Sequence, residues 1–542
     1  MAKKRKREKL GRRIKNWVID RDYVFLCLFF VAILVGVATC IVVQDKKMLL
    51  TTENDLVFSK DNGFYSDNLV VEISSRRNGK IRFNLNGDDI NSAGEPYNNA
   101  IKLEVPEKGY KVYTLGAALC VDAGQCGNIE RRTYVLGKNL DEDVDLDIIS
   151  ITSSQKNLYD YEYGIMVGGK TYDENLGKGL AFVPGNYSQR SEEWTRDANV
   201  VVFSDDGDVK MNGDYGLQIS GGTSASLDIK SFKVLGNEKY GYDKIVLDLG
   251  DGKRVYNSIR LRNGAQDQFS GNVRTSVASR LMDESDFDGG FLCKRAAVFL
   301  NGSFYALSDV QQNYSDSFLS FRYNLPHSDL IEKRKGSEQS VLDEMGVAWL
   351  FKNDLDDADN RYLLEKEVDI DNYLESFALQ ILLNNTDWPG SNFEAWRYKG
   401  DSTGENYTDG RIRFLTYDLD LTFYTKGNME FRDGIIGDIL DFLMHEKYSG
   451  AASFFRNVIQ SDCYRSKLIS ILRKLMNGPF ETSHVLQIVD EEAAKINKQM
   501  QLFYSDEKYE EWQGWIELLK KAVSERNDVV RADVKKYFGE DL

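Results

Sequence analysis

The spacing of hydrophobic residues changes from alternation to helical periodicity about halfway along the chain. Over Leu56–Gly137, and again over 145–260, apolar and polar residues alternate in short runs between turns rich in Asn, Asp and Gly, which is typical of β-strands. From about Arg274 onward apolar residues recur at helical spacing, as in VDIDNYLESFALQILLNN, and residues 483–538 are predicted to be helical throughout. The pattern predicts an α+β protein with a small β module, a β-rich lobe and an α-rich lobe, in that order.

The N-terminus has a different pattern. Residues 1–22 form a strongly basic tail, and residues 23–43, YVFLCLFFVAILVGVATCIVV, contain no charged side chain. About 20 apolar residues are enough to cross a bilayer as a helix, and this run is longer than the apolar core of a cleaved secretion signal. It predicts an uncleaved single transmembrane helix. The basic tail would stay in the cytoplasm and the bulk of the chain would lie outside it.

The net charge limits the classes of partner. Residues 44–542 contain 59 Lys and Arg against 82 Asp and Glu, a net formal charge of −23. A surface this acidic repels nucleic acid and anionic lipid. It would suit a basic partner, although a solvated soluble surface has the same composition.

The cysteine and histidine content excludes several site classes. The chain has six cysteines and three histidines, and no two histidines are neighbours. This argues against a disulfide scaffold, a CxxC zinc site and a Ser-His-Asp triad. Cys120 and Cys126 could close a small loop, and the sequence leaves open whether they are bonded.

Residues 54–140 are predicted to form a small β-sandwich. The phrases GFYSDNLVVEIS and IRFNLNGDDIN resemble the sandwich modules at the C-terminal ends of chitobiases. An immunoglobulin-like spacer of no chemical function is the alternative interpretation of the same strands.

The stretch NTDWPGSN, residues 385–392, holds the first candidate chemistry. Pro389 disfavours a helical conformation at Trp388, so the preceding helix must end here. Two strands follow, NFEAWRYK and RIRFLTYD, joined by a polar loop. If Lys399 pairs with Arg411 across that loop, antiparallel register puts Asn392 opposite Asp418.

Asp387 would then lie near a group of oxygen ligands. Asp420 follows Asp418 on the same face of the strand, and Asn392 contributes an amide oxygen. Oxygen ligands completed by phosphate oxygens suit Mg²⁺. Protein kinase catalytic loops have the same order of features: an Asp, an Asn five residues later, a hairpin and then a metal-binding Asp.

A glycine-rich turn lies upstream, in GLQISGGTSASLDIKSFKV. It precedes a predicted strand carrying Lys230 and Lys233. Such a turn lets backbone N–H groups approach a phosphate, and a lysine beyond it supplies positive charge. An ordinary hairpin with exposed lysines fits the same residues.

Together these phrases resemble the CotH kinases, the spore coat protein H type, which are divergent relatives of protein kinases with a two-lobed fold. The resemblance runs over residues 145–540 and implies transfer of phosphate from ATP, with Mg²⁺ or Mn²⁺, to Ser or Thr of a protein substrate. It implies that Asp387 is the catalytic Asp, that Asn392 and Asp418 are metal ligands with Asp420 as a further candidate, and that Lys230 contacts phosphate. The phrases that carry the resemblance are GLQISGGTSASLDIKSFKV, SIRLRNGAQD, RAAVFLNGSFYALSDVQQNY, VDIDNYLESFALQILLNNTDWPGSNFEAWRY, IRFLTYDLDLTF and SFFRNVIQSDCYRSKL.

One phrase departs from the family pattern. In NGSFYALSDVQQ, Ala306 replaces a glycine, and Gln312 stands where the family has a Glu. If that Glu orients the phosphate-contacting lysine, Gln312 gives only a weaker neutral hydrogen bond.

Three functions therefore remain open at this point. The first is a membrane-anchored Ser/Thr kinase whose acidic surface accepts a Lys- and Arg-rich protein substrate with serines. The second is an inactive kinase-like protein that serves as a binding or structural module, which the scarcity of ATP outside the cell would favour. The third is a carbohydrate-associated surface protein, based on the β-sandwich and aromatic-rich loops.

Overall fold

A computed structural model describes residues 55–542, except 121–125, 181, 251, 425–437 and 446–451. Residues 1–57 belong to one unit, of which only 55–57 are described, and Phe58–Leu542 form a second. The strands are β1 Leu56–Phe58, β2 Gly63–Tyr65, β3 Leu69–Val71, β4 Ile73–Ser75, β5 Lys80–Asn84, β6 Glu95–Pro96, β7 Ile101–Leu103, β8 Tyr110–Cys120, β9 Glu130–Gly137, β10 Asp147–Thr152, β11 Arg196–Phe203, β12 Val209–Ser220, β13 Ser231–Leu235, β14 Ile245–Asp248, β15 Lys253–Tyr256, β16 Ser258–Arg262, β17 Cys293–Leu300, β18 Ser303–Gln312, β19 Ile331–Gly336, β20 Phe393–Tyr398 and β21 Arg413–Leu415. The α-helices are α1 Ile90–Ala93, α2 Leu140–Asp143, α3 Gln155–Tyr159, α4 Gly169–Asn175, α5 Arg274–Glu284, α6 Asp316–Arg322, α7 Glu338–Glu344, α8 Ala358–Glu367, α9 Ile370–Leu383, α10 Ile439–Met444, α11 Ser453–Gln460, α12 Asp462–Met476, α13 Thr482–Phe503 and α14 Asp506–Phe538.

The structure contradicts the predicted single-pass membrane location. Among the described residues, no helix is long and apolar enough to cross a bilayer. The strongly apolar α9 has only 14 residues, fewer than a span needs, and the 33-residue α14 carries charged side chains along its length. The basic tail at 1–22 and the apolar run at 23–43, on which the prediction was based, lie outside the described residues.

The N-terminal part of the second unit is rich in β-structure, as its alternating sequence predicts. Its five-stranded sheet has the order β2-β9-β8-β5-β6, and β3 pairs with β7. Cys120, at the end of β8, is disulfide-bonded to Cys126. The likeness of this region to a chitobiase sandwich module stays a prediction.

Seven strands then close into a barrel in the order β10-β11-β12-β13-β16-β18-β17. Because side chains alternate along a strand, one set fills the barrel and the other faces outward. Ile149 and Ile151 of β10 lie in the barrel core, whereas Ile148 lies in a second core shared with the helices. The outward set therefore contributes to the contact between the barrel and the helical part.

The helical part supports a three-stranded sheet with the order β19-β20-β21. Its central helix is α9, of which twelve residues are buried. Phe377 of this helix stacks on Phe455 of α11 with ring centroids 4.3 Å apart and also packs against Trp388. The C-terminal end of a rigid, buried helix thus leads directly into the NTDWPGSN turn.

Candidate active site

The NTDWPGSN turn is fixed by two buried asparagines. Helix α9 ends where Asn384 adopts a left-handed conformation with φ of 48°, which asparagine tolerates better than most residues. The side-chain amide of Asn384 donates through Nδ2 to the carbonyl of Tyr424 at 2.6 Å and accepts through Oδ1 from the N–H of Ile439 at 3.0 Å. Asn385 is fully buried and accepts a hydrogen bond from the N–H of Asp387 at 3.2 Å. The position of Asp387 is therefore set by the helix end.

Asp387 and Asn392 are hydrogen-bonded to each other, and the sequence predicted only that they face the same place. Asn392 Nδ2 donates to Asp387 Oδ2 at 2.9 Å. Ser391 Oγ donates to the carbonyl of Asp387 at 3.2 Å, and Trp388 is 4% exposed and anchors the turn in the core. With its nitrogen turned to Asp387, the amide of Asn392 keeps its oxygen available as an acceptor.

The predicted hairpin register is wrong by one residue. The ladder pairs Glu394 with Leu415 and Trp396 with Arg413, whereas the predicted pairing of Lys399 with Arg411 would put Glu394 opposite Thr416. A one-residue slip moves every side chain to the other face of a strand. The ladder also ends before the predicted ligands. Asn392 and Asp418 both have left-handed backbones, with φ of 60° and 62°, and both lie outside the strands.

Asp418 and Asp420 converge on one cation. Arg262 Nη2 lies 2.5 Å from Asp418 Oδ1 and 3.5 Å from Asp420 Oδ1, and the N–H of Gln266 donates to Asp420 Oδ2 at 2.9 Å. Burial favours the protonated form of both carboxyls, but Arg262 holds the pKa of Asp418 below its usual range. Burial and the charge of Asp418 raise the pKa of Asp420. Near neutral pH the pair therefore shares a proton, and Arg262 balances its remaining negative charge.

Three carboxylates act on the phenol of Tyr417. Burial raises its pKa, and so do the charges of Glu394, Asp418 and Asp387. All three carboxylates are therefore close enough for their charges to act on the same phenol. The structure brings Asp387 into contact with Asn392, and Asp418 and Asp420 onto Arg262, although not through the strand pairing that the sequence suggested. We call Asp387, Asn392, Asp418 and Asp420 the acidic site.

A cavity of about 540 Å³ adjoins this acidic site, and Arg262 and Tyr417 belong to its wall. The cavity lies between the outer face of the barrel and the β19–β20 strands. Five cationic side chains line it, against the two carboxylates of Glu394 and Asp316. The cations are Arg260, Arg262, Lys333, Arg334 and Lys335.

Strand alternation puts the cations on the cavity side. Ile259 and Leu261 point into the barrel core, so Arg260 and Arg262 lie on the outer face of β16. Lys333 and Lys335 share a face of β19, where Glu394 lies opposite Lys335 and 3.7 Å from Lys333. We call Arg260, Arg262, Lys333 and Lys335 the cation cluster. Burial lowers the pKa of Lys335, while the charges of Glu394 and Asp418 oppose that shift.

Lys230 lies apart from the cation cluster. It precedes β13, its Nζ donates to the carbonyl of Leu227 at 2.5 Å, and the ammonium lies over the ring of Tyr187. Lys233, on β13 itself, is directly opposite Arg260, and its pKa is lowered by burial, then by Arg260 and Lys333. Of the two lysines after the Gly-Gly turn, Lys233 is the one beside the cavity. The phosphate-contacting role of Lys230 stays a prediction that this placement does not favour.

Gln312 lies at the end of β18 and borders the cavity. Its side-chain oxygen accepts a hydrogen bond from the N–H of Leu292 at 3.2 Å, and it pairs across the ladder with the inward-facing Ile259. The buried acid beside the cation cluster is Glu394. Burial raises its pKa above the usual value, and the charges of Lys333 and Lys335 oppose that shift only in part. Glu394 is therefore better placed than residue 312 to orient a lysine.

Sequence reasoning missed Arg260, Arg262, Lys333, Lys335 and Glu394. SIRLR alternates charged with other residues, and in the charged run EKRKG the two lysines are two residues apart, so each phrase puts two cations on one face of a strand. The strands that pair with these phrases, however, are about 25 to 65 residues away along the chain.

The acidic site suits a hard divalent cation. Asp418 and Asp420 both reach the same Arg262 nitrogen, so their oxygens already face one positive charge. Within the described ranges no three His, Cys, Asp or Glu side chains form a metal-binding group, so the amide oxygen of Asn392, water or phosphate would have to complete a metal site. Two carboxylates with phosphate oxygens are an ordinary Mg²⁺ environment, and the residues present fit it.

Glu338 links the NTDWPGSN turn to the helices. Its N–H donates to the carbonyl of Pro389 at 3.1 Å, and its buried carboxyl accepts from the hydroxyl of Tyr373 at 2.6 Å. Burial raises the pKa of Glu338 to about 7. In the unfolded chain the same group ionises near pH 4.3. The folded protein therefore holds this proton over a range of pH in which the unfolded chain has lost it.

We expect this proton to make stability depend on pH. Between about pH 4.3 and 7 the folded state binds more protons than the unfolded state, so the free energy of unfolding falls as pH rises, by at most about 4 kcal/mol from this group. Glu338→Gln should remove that slope in denaturant unfolding measured from pH 5 to 8. Glu344→Gln, an exposed position on the same helix, should keep it. An unchanged slope in Glu338→Gln would contradict the prediction.

Comparison with known proteins finds a family that matches the helical part of the chain. Residues 332–530 match the family described as CotH kinase protein. A search of curated proteins found no match. Among solved structures, the Helicobacter pylori proinflammatory kinase CtkA is similar, with a TM-score of 0.24 and 11% identity over 53% of this chain and 95% of that chain. A chain of the Shewanella oneidensis MR-1 toxin–antitoxin complex of HipA, HipB and operator DNA is similar with a TM-score of 0.26 and 11% identity, over 55% of this chain and 63% of that chain. The family match covers a little over a third of the chain and supports a kinase-like protein.

Proposed function

We propose that the chain is a protein kinase that uses ATP and Mg²⁺ or Mn²⁺ to phosphorylate Ser or Thr of a protein substrate. The observation that carries this proposal is the contact between two sites of opposite charge. A cavity lined by the cation cluster suits a polyphosphate, and an acidic site with a positioned Asp387 and Asn392 lies at its edge.

Each residue has a role in this proposal. The cation cluster binds the phosphates of ATP, and Asp418 with Asp420 and Asn392 would hold the divalent cation. A bound cation supplies neutralisation of the charge on the phosphate oxygens. Asp387 accepts the proton of the attacking Ser or Thr hydroxyl. The hydroxyl oxygen of the substrate forms a bond to the γ-phosphorus as the bond from that phosphorus to ADP breaks and ADP leaves. The hydrogen bond from Asn392 orients the Asp387 carboxylate for that transfer.

The proposed substrate is a Lys- and Arg-rich protein with serines. The strongly negative net charge supports this choice, because an acidic surface attracts and steers a basic partner. An inactive kinase-like protein that binds nucleotide without transferring phosphate is the second candidate, and the neutral Gln312 in place of an acid favours it.

We expect Lys335→Met to weaken nucleotide binding about 10- to 100-fold. The ammonium of Lys335 lies 3.7 Å from the centroid of the Tyr417 ring. The variant would lose a charge-assisted contact to phosphate, worth about 1.5–3 kcal/mol. Calorimetric titration of the full chain with ATP and Mg²⁺ measures the affinity, and transfer of labelled phosphate to a basic, Ser-containing protein measures activity. Lys366→Met, at an exposed position on α8, is the matched control and should behave as the parent.

The same experiment separates the candidate functions. Binding and transfer in the parent, both weakened in Lys335→Met, support the kinase. Binding without transfer supports the inactive binding module. Absence of both binding and transfer in the parent chain contradicts the kinase proposal.

A further inference from the structure

Arg262 occupies the position at the acidic site where a metal cation would be expected. We propose that Arg262 is a built-in counter-cation that holds Asp418 and Asp420 until a divalent cation replaces it, so that Arg262 sets the metal affinity of the pair. The inference rests on the proposed function of Asp418 as a metal ligand. It adds a residue that positions the ligands and couples the metal to the phosphate cavity.

The contacts of Arg262 with the carboxylates are close and direct. One nitrogen, Nη2, is 2.5 Å from Asp418 and 3.5 Å from Asp420. Asp420 is 5% exposed, so water screens this charge poorly. Two neighbouring carboxylates in such a place repel each other strongly unless they share a proton or a cation lies between them, and a divalent cation would displace both the shared proton and Arg262. Arg262 supplies that cation in the protein described here.

Arg262 is held mainly by these carboxylates. Its cross-strand neighbour Asp309 is already paired with Arg295 at 2.5 Å. Arg262 Nε is buried and, within the described part of the chain, has no hydrogen-bond partner. Because the ion pair is largely buried, Arg262 leaves the acidic pair only where a divalent cation takes its place and another anion receives the guanidinium.

The Arg262 side chain can also reach a ligand in the cavity, because it forms part of the cavity wall. It lies on the same face of β16 as Arg260. When the cavity is empty, the repulsion of the other cations favours contact with Asp418 and Asp420. When an anionic phosphate occupies the cavity, the guanidinium can bind the phosphate instead. Phosphate in the cavity therefore frees the acidic pair, and metal and phosphate bind cooperatively.

The test measures Mn²⁺ binding to the full chain without nucleotide, from the electron paramagnetic resonance signal of free Mn²⁺. We expect Arg262→Gln to bind Mn²⁺ at least about tenfold more tightly than the parent, because the competing cation has been removed. Inorganic tripolyphosphate, corrected for its own Mn²⁺ binding, should tighten Mn²⁺ binding in the parent more than in Arg262→Gln. Asp418→Asn should abolish the binding.

Arg280→Gln is the matched control. Arg280 also contacts several carboxylates, those of Glu284, Glu491 and Glu492, none of which belongs to the acidic site. It should leave the Mn²⁺ affinity unchanged. If Arg262→Gln does not fold, as judged by circular dichroism, Arg262→Lys replaces it, and a tighter Mn²⁺ affinity than in Arg280→Gln is again expected because lysine makes a poorer contact with two carboxylates.

An affinity for Mn²⁺ that is unchanged or weaker in the folded Arg262 variant overturns the inference, and so does absence of Mn²⁺ binding in every variant. Neither outcome decides the proposed kinase activity, since no nucleotide is present. A parent chain that transfers phosphate while Arg262→Gln leaves Mn²⁺ affinity unchanged refutes the counter-cation alone. A tighter affinity in Arg262→Gln without any phosphate transfer by the parent refutes the kinase alone.

Discussion

Asp387→Asn is expected to reduce phosphate transfer by about 10²- to 10⁴-fold, the usual contribution of a positioned general base. The asparagine keeps the shape of the side chain and can still accept the hydrogen bond from Asn392 Nδ2, so the turn should stay folded. Only the ability to take a proton is removed. Nucleotide affinity, which depends on the cation cluster, should change by less than about threefold.

The appropriate control is Asp401→Asn. Asp401 is an exposed acid in the loop between β20 and β21, so its replacement makes the same change of charge without touching the turn. Transfer rates at saturating ATP and nucleotide affinities are measured for both variants beside the parent. If Asp387→Asn retains more than a tenth of the parent's rate, Asp387 is not the catalytic base.

Local sequence was sufficient to predict that Asp387 and Asn392 face the same place. Both lie in one turn of eight residues, and the end of α9 and the buried Asn385 determine its position. The order of β-rich and α-rich parts was equally visible, because hydrophobic period depends on neighbouring residues alone. Interactions within about ten residues were therefore accessible to sequence reasoning.

The hairpin register was not accessible in the same way. The prediction assumed that the two strands stay regular from the loop to Asn392 and Asp418. Instead both residues turn into left-handed conformations, and the pairing between Glu394 and Leu415 is one residue away from the predicted one. Asn and Asp adopt this conformation more readily than most residues, but alternation gives no sign of where they do so.

The cation cluster depended on contacts that are distant in sequence. Arg260 and Arg262 meet β19 and β20 only because the barrel closes and its outer face packs on the helical part. The Gly-Gly turn pointed to both Lys230 and Lys233, and the resemblance to CotH kinases singled out Lys230, yet Arg260 and Lys333 lower the pKa of Lys233. Lys230 precedes the strand and Lys233 lies within it, and local sequence did not indicate where the strand begins.

Asp420 is also connected to the fold through the turn that precedes α5. The N–H of Gln266 in that turn donates to Asp420, and the next residue, Asp267, forms a buried ion pair with Arg274 at 2.5 Å. Arg274 is fully buried and Asp267 is 1% exposed. The position of a candidate metal ligand thus depends on an ion pair that water does not reach.

Arg274→Met is expected to lower the free energy of unfolding by about 3–5 kcal/mol, because it leaves the buried carboxylate of Asp267 without its partner. Chemical denaturation of the full chain measures the loss. Arg274→Met combined with Asp267→Asn should recover part of it, since the amide is neutral and can still accept from the N–H of residue 274. A double variant no more stable than Arg274→Met would show that lost packing, and not the unpaired charge, causes the destabilisation.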